Sequence, residues 1–491
     1  MPMVLVFLIN IFLMFFCLES TAFSNDIPVN YRLDYLQLRI PDQSPSLGLV
    51  GAHLDIKPIQ TAPWFYLGAG GYGAVRGQNS GFFALGLETG VQKNIKNNLS
   101  LETGIFLGTG GGHDLASVIG NGGFIETHAG VLYNFGDFLL GPDLSHWQFF
   151  SGNIPHNQIM LTLIFPSDIF AKYPEALSKN NNKNYFAMNI NSEFPSNNSR
   201  DLSDNPMSDK LGLIGAEFGH YFNHSHQDSS YLFLNMNGAV YGNQNGYAEA
   251  LAGLGYQKYL TNKFSILTQM GAGSAGGGGV DTRGGLIIEP ELGLEFDPNI
   301  SYGIALMSGY LWTPDLSASS RYQAWVAGVH FKYYFDALDP SSNIHSGMQA
   351  WRVRVGDQWY TDPNRENTNA SIQLLTIKLD GFFNTYFYLT GQTSFAYTGD
   401  AAGYFSGMIG PGLQTNSYHR FRLYGEFLGG AAGGAGLDIG TGFLLEPLVG
   451  IRYDLNPSLG FYGSLGDTFS PNHSFSTPTI DFGVSGTFGA E

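Results

Sequence analysis

The sequence predicts an all-β fold, a transmembrane antiparallel up-and-down β-barrel architecture of about 24 strands in three internal repeats of about eight. Three observations carry that prediction. Apolar and polar residues alternate with period two, the side-chain period of a strand and not of a helix. The same landmarks return three times in the same order, at intervals of roughly 155 to 170 residues. Beyond Ser24 no apolar run approaches the ~18 residues that a helical span needs, so any membrane crossing falls to strands.

Composition bounds the class. Only 13% of the 491 residues are charged, while glycine (66), phenylalanine (38) and tyrosine (27) are abundant, an unusual mixture for a soluble domain. The net charge of -17 argues against nucleic acid, whose phosphates are met by clusters of Lys and Arg. It argues equally against adhesion to anionic lipid by charge alone. The opening MPMVLVFLINIFLMFFCLES reads as the apolar core of a signal peptide, followed by the small residues Ser20, Thr21 and Ala22. Residues 1–24 are therefore expected to be removed on export, an N-terminal anchor being the alternative. Cys17, the only cysteine, lies inside that segment, which leaves the mature chain without a disulfide, a thiolate nucleophile or a Cys-ligated metal.

Each repeat begins with an aromatic entry: APWFYLGAGGYGAV from Ala62, SSYLFLNMNGAVYG from Ser229 and NTYFYLTGQTSFAY from Asn384. A glycine-rich run ending in Asp follows: GTGGGHD to Asp114, GSAGGGGVD to Asp281 and GGAAGGAGLD to Asp438. Next comes a strand with one acid in the same place, Glu126, Glu289 or Glu446, and then a Pro-Asp or Gly-Asp loop, PDLS at Pro142, PDLS at Pro314 or GDTFS at Gly466. In the last strand Ile480, Phe482, Val484 and Phe488 form one face and Thr479, Asp481, Ser485 and Thr487 the other. An apolar face set against a small, polar one is what a lipid-spanning barrel strand requires, and in hydrocarbon only a closed sheet pairs every backbone group.

The connections sort into tight turns, such as NFGD at Asn134, DPNIS at Asp297 and DLNPS at Asp454, and longer stretches, such as YTDPNRENTNA from Tyr360, the Gly-Asp runs and the PDLS loops. From about Asn30 to Phe488 the chain resembles the Gram-negative outer-membrane β-barrel proteins as a class, through its alternation, aromatic strand ends, export signal and cysteine-free mature part. The resemblance implies a bacterial outer-membrane location with short periplasmic turns and longer outer loops. It also implies contact with outer-membrane lipid and lipopolysaccharide, and biogenesis through periplasmic chaperones and the barrel-assembly machinery.

The expected boundaries are residues 25–166, 183–335 and 346–491 for the three repeats, with linkers 167–182 and 336–345. One barrel of about 24 strands would enclose a wide lumen of the kind natural barrels plug, and no insertion of plug size exists. Three tandem eight-stranded barrels filled by side chains are preferred to it. Alternation turns Arg352, Arg354, Lys378, Asp380, Arg420, Arg422, Glu426, Glu446 and Arg452 inward in the third repeat, where they would neutralise one another. Glu289, Glu291 and Glu295 have fewer basic partners and make the second interior more acidic.

The glycine runs are too isolated to be tandem calcium repeats, and GAGGYG at Gly68 lacks the strand-helix context of a dinucleotide site. The sharper reading pairs each run with the following loop: Asp114 with Asp143, Asp281 with Asp315 and Asp438 with Asp467 would each hold a divalent ion, calcium by preference, in the outer loops. His224 and His226 have the spacing of a zinc or copper pair. No other cofactor is implied. There is no G-x-S-x-G, and His113, Asp114 and Ser117 cannot form a three-fold active site because Val280 and Leu437 replace His113 in the other repeats. The expected function is an integral outer-membrane protein with a structural or surface-interaction role, not an enzyme. The alternative is an outer-membrane diffusion pore for small polar solutes, and a barrel-type lipid-modifying enzyme ranks below both.

Overall fold

A strand that alternates apolar and polar residues buries one face only if its sheet curls away from the other, and an open sheet leaves an unpaired edge at each side. The computed structural model meets both demands by closing the sheet three times. It describes residues 27–488 except 41–45, 58–61, 78–80, 97, 113–114, 116–118, 153–154, 170–183, 225–227, 300, 315–321, 336, 339–344, 347–349, 364–369, 436 and 473. The expected signal peptide lies outside these residues.

Barrel 1 consists of β1 (Ile27–Leu38), β2 (Leu47–Ile56), β3 (Phe65–Arg76), β4 (Phe83–Lys96), β5 (Leu99–Gly111), β6 (Gly123–Asn134), β7 (Leu139–Phe149) and β8 (Pro155–Ile169). Barrel 2 consists of β9 (Asn184–Pro195), β10 (Leu211–His224), β11 (Asp228–Tyr241), β12 (Ala248–Tyr259), β13 (Phe264–Gly276), β14 (Leu286–Phe296), β15 (Tyr302–Trp312) and β16 (Gln323–Phe335). A small ladder, β17 (Ala337–Leu338) with β18 (His345–Ser346), precedes barrel 3: β19 (Ala350–Tyr360), β20 (Ile372–Phe382), β21 (Phe387–Ala396), β22 (Phe405–Gln414), β23 (Phe421–Gly433), β24 (Phe443–Asp454), β25 (Leu459–Phe469) and β26 (Ser476–Phe488). All pairings are antiparallel between sequence neighbours, and each barrel closes first strand on last, as in Tyr31↔Phe165, Ile190↔Val329 and Val355↔Val484.

The three landmarks occupy equivalent strands. The aromatic entries form β3, β11 and β21, the glycine runs end β5, β13 and β23, and the acid-bearing segments form β6, β14 and β24. The Pro-Asp landmark does not behave this way. Pro314 lies in the β15–β16 connection, but Pro142 sits inside β7 and Gly466 inside β25, so only one of the three is a loop. Pro142 is tolerated because the ladder to β6 skips from Gly130↔Asp143 to Tyr133↔Leu140, where a proline has no N–H to donate. The same gap occurs at Pro290, Pro411 and Pro447.

The barrels meet in a ring, the third strand of each against the fifth strand of the next: β3 on β13, β11 on β23 and β21 on β5. Three cylinders in mutual contact touch along lines roughly a sixth of a circumference apart, about one to two strands of an eight-stranded barrel. That matches contact strands separated by one. Equivalent atoms recur at each junction. Ser274 Oγ donates to the Ala74 carbonyl (2.6 Å), Thr109 Oγ1 donates to the Ala396 carbonyl, and Ala431 stands in the hydroxyl's place against Gly238.

At this seam the glycine runs find their use. A Cβ on Gly81 would lie 2.5 Å from Gly277 N, one on Gly111 2.2 Å from Gly403 N, and one on Gly433 2.2 Å from Gly246 Cα. Two backbones touch at each junction, and only glycine permits it. Asp438 accepts a hydrogen bond from the Gly440 N–H (3.0 Å) and shapes the turn after the run. Gly433→Val is expected to force barrels 2 and 3 apart at a cost of about 1–3 kcal/mol. Limited proteolysis should then cut the β16–β19 connection faster, while each barrel retains its resistance to denaturation by detergent on unheated gels.

Candidate functional site

The groups with chemical potential lie inside the barrels, in a polar layer between apolar ones. In barrel 1 Leu36, Leu49, Tyr72, Phe106, Phe124 and Trp147 pack across the long-loop end, and Leu132, Leu139 and Ile164 cluster towards the other. The Phe124 and Trp147 rings stack at 4.4 Å. Between these lies Arg32, on the inward face of β1. Its Nε is 2.9 Å from Asp34, its Nη1 3.1 Å from Glu88 and 3.3 Å from Glu102, and its Nη2 3.6 Å from Asp143. One guanidinium so ties β1, β4, β5 and β7 together, which its planar fork of donors allows and a lysine would not. His53 bridges Glu88 (2.9 Å) and Asp34 (3.4 Å), and His128 contacts Glu126 (3.0 Å).

Barrel 2 carries six inward carboxylates, Glu193, Glu217, Glu249, Glu289, Glu291 and Glu295, none more than 9% exposed. Its buried bases are His330 and Lys332, the latter 2.8 Å from Glu295. Neutral donors meet much of the remaining demand. Tyr185 donates to Glu217 (2.6 Å), Tyr247 to Glu249 (2.8 Å), Gln269 to Glu291 (2.5 Å), and Tyr322 to Glu193. The acidic interior expected from Glu289, Glu291 and Glu295 is present, and the tyrosines that sustain it come from β9 (Tyr185), from β16 (Tyr334, which donates to Glu295) and from the loops before β12 and β16.

Barrel 3 balances its charges. Arg354 Nη2 reaches Asp380 (2.8 Å) and Glu426 (2.5 Å), Arg352 Nε reaches Asp380 (2.5 Å), and Lys378 Nζ reaches Asp481 (2.7 Å). Glu446 accepts from Gln358, Gln392 and Thr468 at 3.0, 3.1 and 2.8 Å. Of the residues that alternation turns inward, Arg422 lies at the rim against Asp454 (2.8 Å) with its side chain 25% exposed, and Arg420 does not lie in a strand at all. It occupies the β22–β23 turn with φ 71°, because β23 starts one residue later.

Of the three divalent-ion pairs only Asp438 with Asp467 lies wholly within the described residues. Asp143 is 1% exposed on the inward face of β7, where Thr162 donates to it (2.5 Å), so it is no loop residue. Asp467 is exposed within β25. Asp281 accepts from the Arg283 N–H (3.1 Å), and Asp438 is bound to its own turn. Asp114, Asp315, His113, Ser117 and His226 lie outside the described residues. Among the described residues no group of three or more His, Cys, Asp or Glu side chains is arranged to hold a metal ion. The Arg32 network was missed by sequence reasoning although NYRLDY, from Asn30, puts Asn30, Arg32 and Asp34 on one face.

No protein-family model matches the chain, and no curated protein matches it. Among solved structures it is similar to the siderophore receptor PirA from Acinetobacter baumannii, at 9% identity over 96% of this chain and 81% of that one, with a TM-score of 0.29. It is similar also to BauA, the ferric preacinetobactin receptor of the same organism (10% identity, 95% and 80% covered, TM-score 0.28), and to the FrpB iron transporter from Neisseria meningitidis (8%, 96% and 82%, 0.28). At these values the likeness assigns this chain neither a ligand nor an activity.

Removing one partner of a buried ion network leaves the others uncompensated. Arg354→Met is therefore expected to cost about 3–5 kcal/mol, and Arg422→Met at the rim less than about 1 kcal/mol, in urea unfolding from lipid vesicles. Calorimetric titration of the refolded chain with calcium should give heats of dilution alone.

Proposed function

We propose that the chain is an integral protein of the bacterial outer membrane, made of three solid barrels, with a structural or surface-interaction role and no catalytic one. The observation that carries this reading is the inversion of polarity. Ion networks occupy the interiors, while large apolar side chains face outward with nothing against them: Leu144 and Val449 are 71% exposed and Ile159 70%. In water that arrangement would waste the hydrophobic effect, and in a bilayer it is the stable one. Aromatic pairs cluster at the short-turn end, as in Tyr133 with Phe135, Phe264 with Phe296 and Phe421 with Tyr453, at the depth where aromatic girdles flank a hydrocarbon band.

Filled interiors favour a scaffold or surface protein over a diffusion pore, since the charged layer of each barrel is covered by packed side chains. In planar bilayers the purified chain is expected to give no steps of nanosiemens size, and steps of that size would favour the pore. On gels it should run faster unheated than boiled, the behaviour of a closed barrel.

A further inference from the structure

The net charge of -17 suggests a protein that anionic lipid repels, yet its charges are not spread evenly. Among the described residues the exposed bases at the short-turn end are Lys93, Lys96, Lys258, Lys263 and Arg420 and the exposed acid there is Asp137, while Asp228, Asp297 and Asp454 are half-buried. At the long-loop end the exposed acids Asp204, Asp209, Asp362, Asp400 and Asp438 outnumber the exposed bases Arg39, Arg76 and Lys210. The placement of the bases follows the ring. Lys93 and Lys96 end β4, Lys258 and Lys263 flank the β12–β13 turn, and Arg420 tops the β22–β23 turn. All five lie on the hairpin joining the fourth strand of a barrel to the fifth, once per barrel. None forms an ion pair with a described residue.

Each hairpin also carries exposed apolar or aromatic side chains beside its base. Ile95 (57%) and Leu99 flank Lys96, Leu260 (56%) and Phe264 flank Lys263, and Tyr418 (75%) and Phe421 flank Arg420. The third hairpin accepts a backbone cost to present them. His419 and Arg420 take φ values of 49° and 71° in succession, conformations that L side chains rarely adopt, between the paired Tyr418 and Phe421. A cation above an exposed apolar side chain suits the boundary between phosphate and acyl chain, where charge and hydrophobic contact act together.

We propose that these three hairpins form a docking surface for anionic phospholipid headgroups in the periplasmic leaflet, one contact per barrel. The proposal rests on the outer-membrane reading, in which the short-turn end faces the periplasm. The recognised group is the lipid phosphate, met by Lys93 and Lys96, by Lys258 and Lys263, and by Arg420.

The test uses the full chain in nanodiscs of phosphatidylcholine containing a minor fraction of phosphatidylglycerol, with native mass spectrometry reading which lipid stays bound. The wild type is expected to retain phosphatidylglycerol preferentially, and the preference should fall about fivefold for each charge lost in K93Q/K96Q, K258Q/K263Q and R420Q. It should disappear in the variant combining all five substitutions and weaken in high salt. The substitutions are on exposed turns, and the gel shift on heating checks that each variant is folded. An inserted, heat-modifiable wild type without the preference, or a five-fold variant that keeps it, overturns the proposal. So does sedimentation of the wild type with peptidoglycan but not with phosphatidylglycerol vesicles. A chain that stays in aqueous solution without detergent overturns the outer-membrane reading instead.

Discussion

Closure of the backbone ladder is the constraint on which the rest of this molecule depends. Once β1 pairs with β8, β9 with β16 and β19 with β26, no strand of the three barrels has a free edge, and side chains are sorted by parity alone. Even and odd positions then meet different media for the whole length of a strand. That sorting explains why Arg32 and Asp34 can sit two residues apart in the interior while Tyr31 and Leu33 between and beside them face outward. It also explains where proline is allowed: at Pro142, Pro290, Pro411 and Pro447 one ladder lapses locally, and the barrel stays closed around the gap.

A closed sheet with an apolar exterior must put its polar residues inside, and the three barrels do this in different ways. Barrel 1 converges several carboxylates on one guanidinium. Barrel 3 pairs acids with bases nearly one for one. Barrel 2 has carboxylates in excess and engages them with phenol and amide donors, each hydrogen bond weaker than an ion pair but carrying no charge of its own to desolvate. The architecture is common to all three and the electrostatics are not, so closure constrains the fold without dictating the contents.

Much of this was legible in the sequence because it depends on local period and repetition. Parity in TIDFGVSGTF placed Asp481 inward and Phe482 outward, and the aromatic entries, glycine runs and single acids landed on the third, fifth and sixth strands of every barrel. The Pro-Asp landmark misled because proline usually signals a turn, and nothing local reveals that a neighbouring ladder has lapsed. Asp143 misled for the same reason, since its pairing with Asp114 assumed that it was in a loop. What the glycine runs do was illegible in principle. A glycine that touches another barrel looks the same as one that turns a strand, and only the pairing of Gly111 with Gly403 or of Gly433 with Gly246 separates them. The charge asymmetry was hidden because a net charge sums over both ends of the barrels.

The ring is built from one kind of junction used three times, third strand to fifth strand, in the manner of a closed heterologous assembly. In an assembly of identical subunits every substitution arrives in triplicate, and a change that suits one position must be tolerated at all of them. Joining the copies in one polypeptide lifts that requirement. Thr109, Ser274 and Ala431 can differ while serving the same junction, and the contents of each barrel are free to specialise as long as the backbone contacts between neighbours endure. Covalent linkage thus preserves the geometry of a trimer while letting its members diverge.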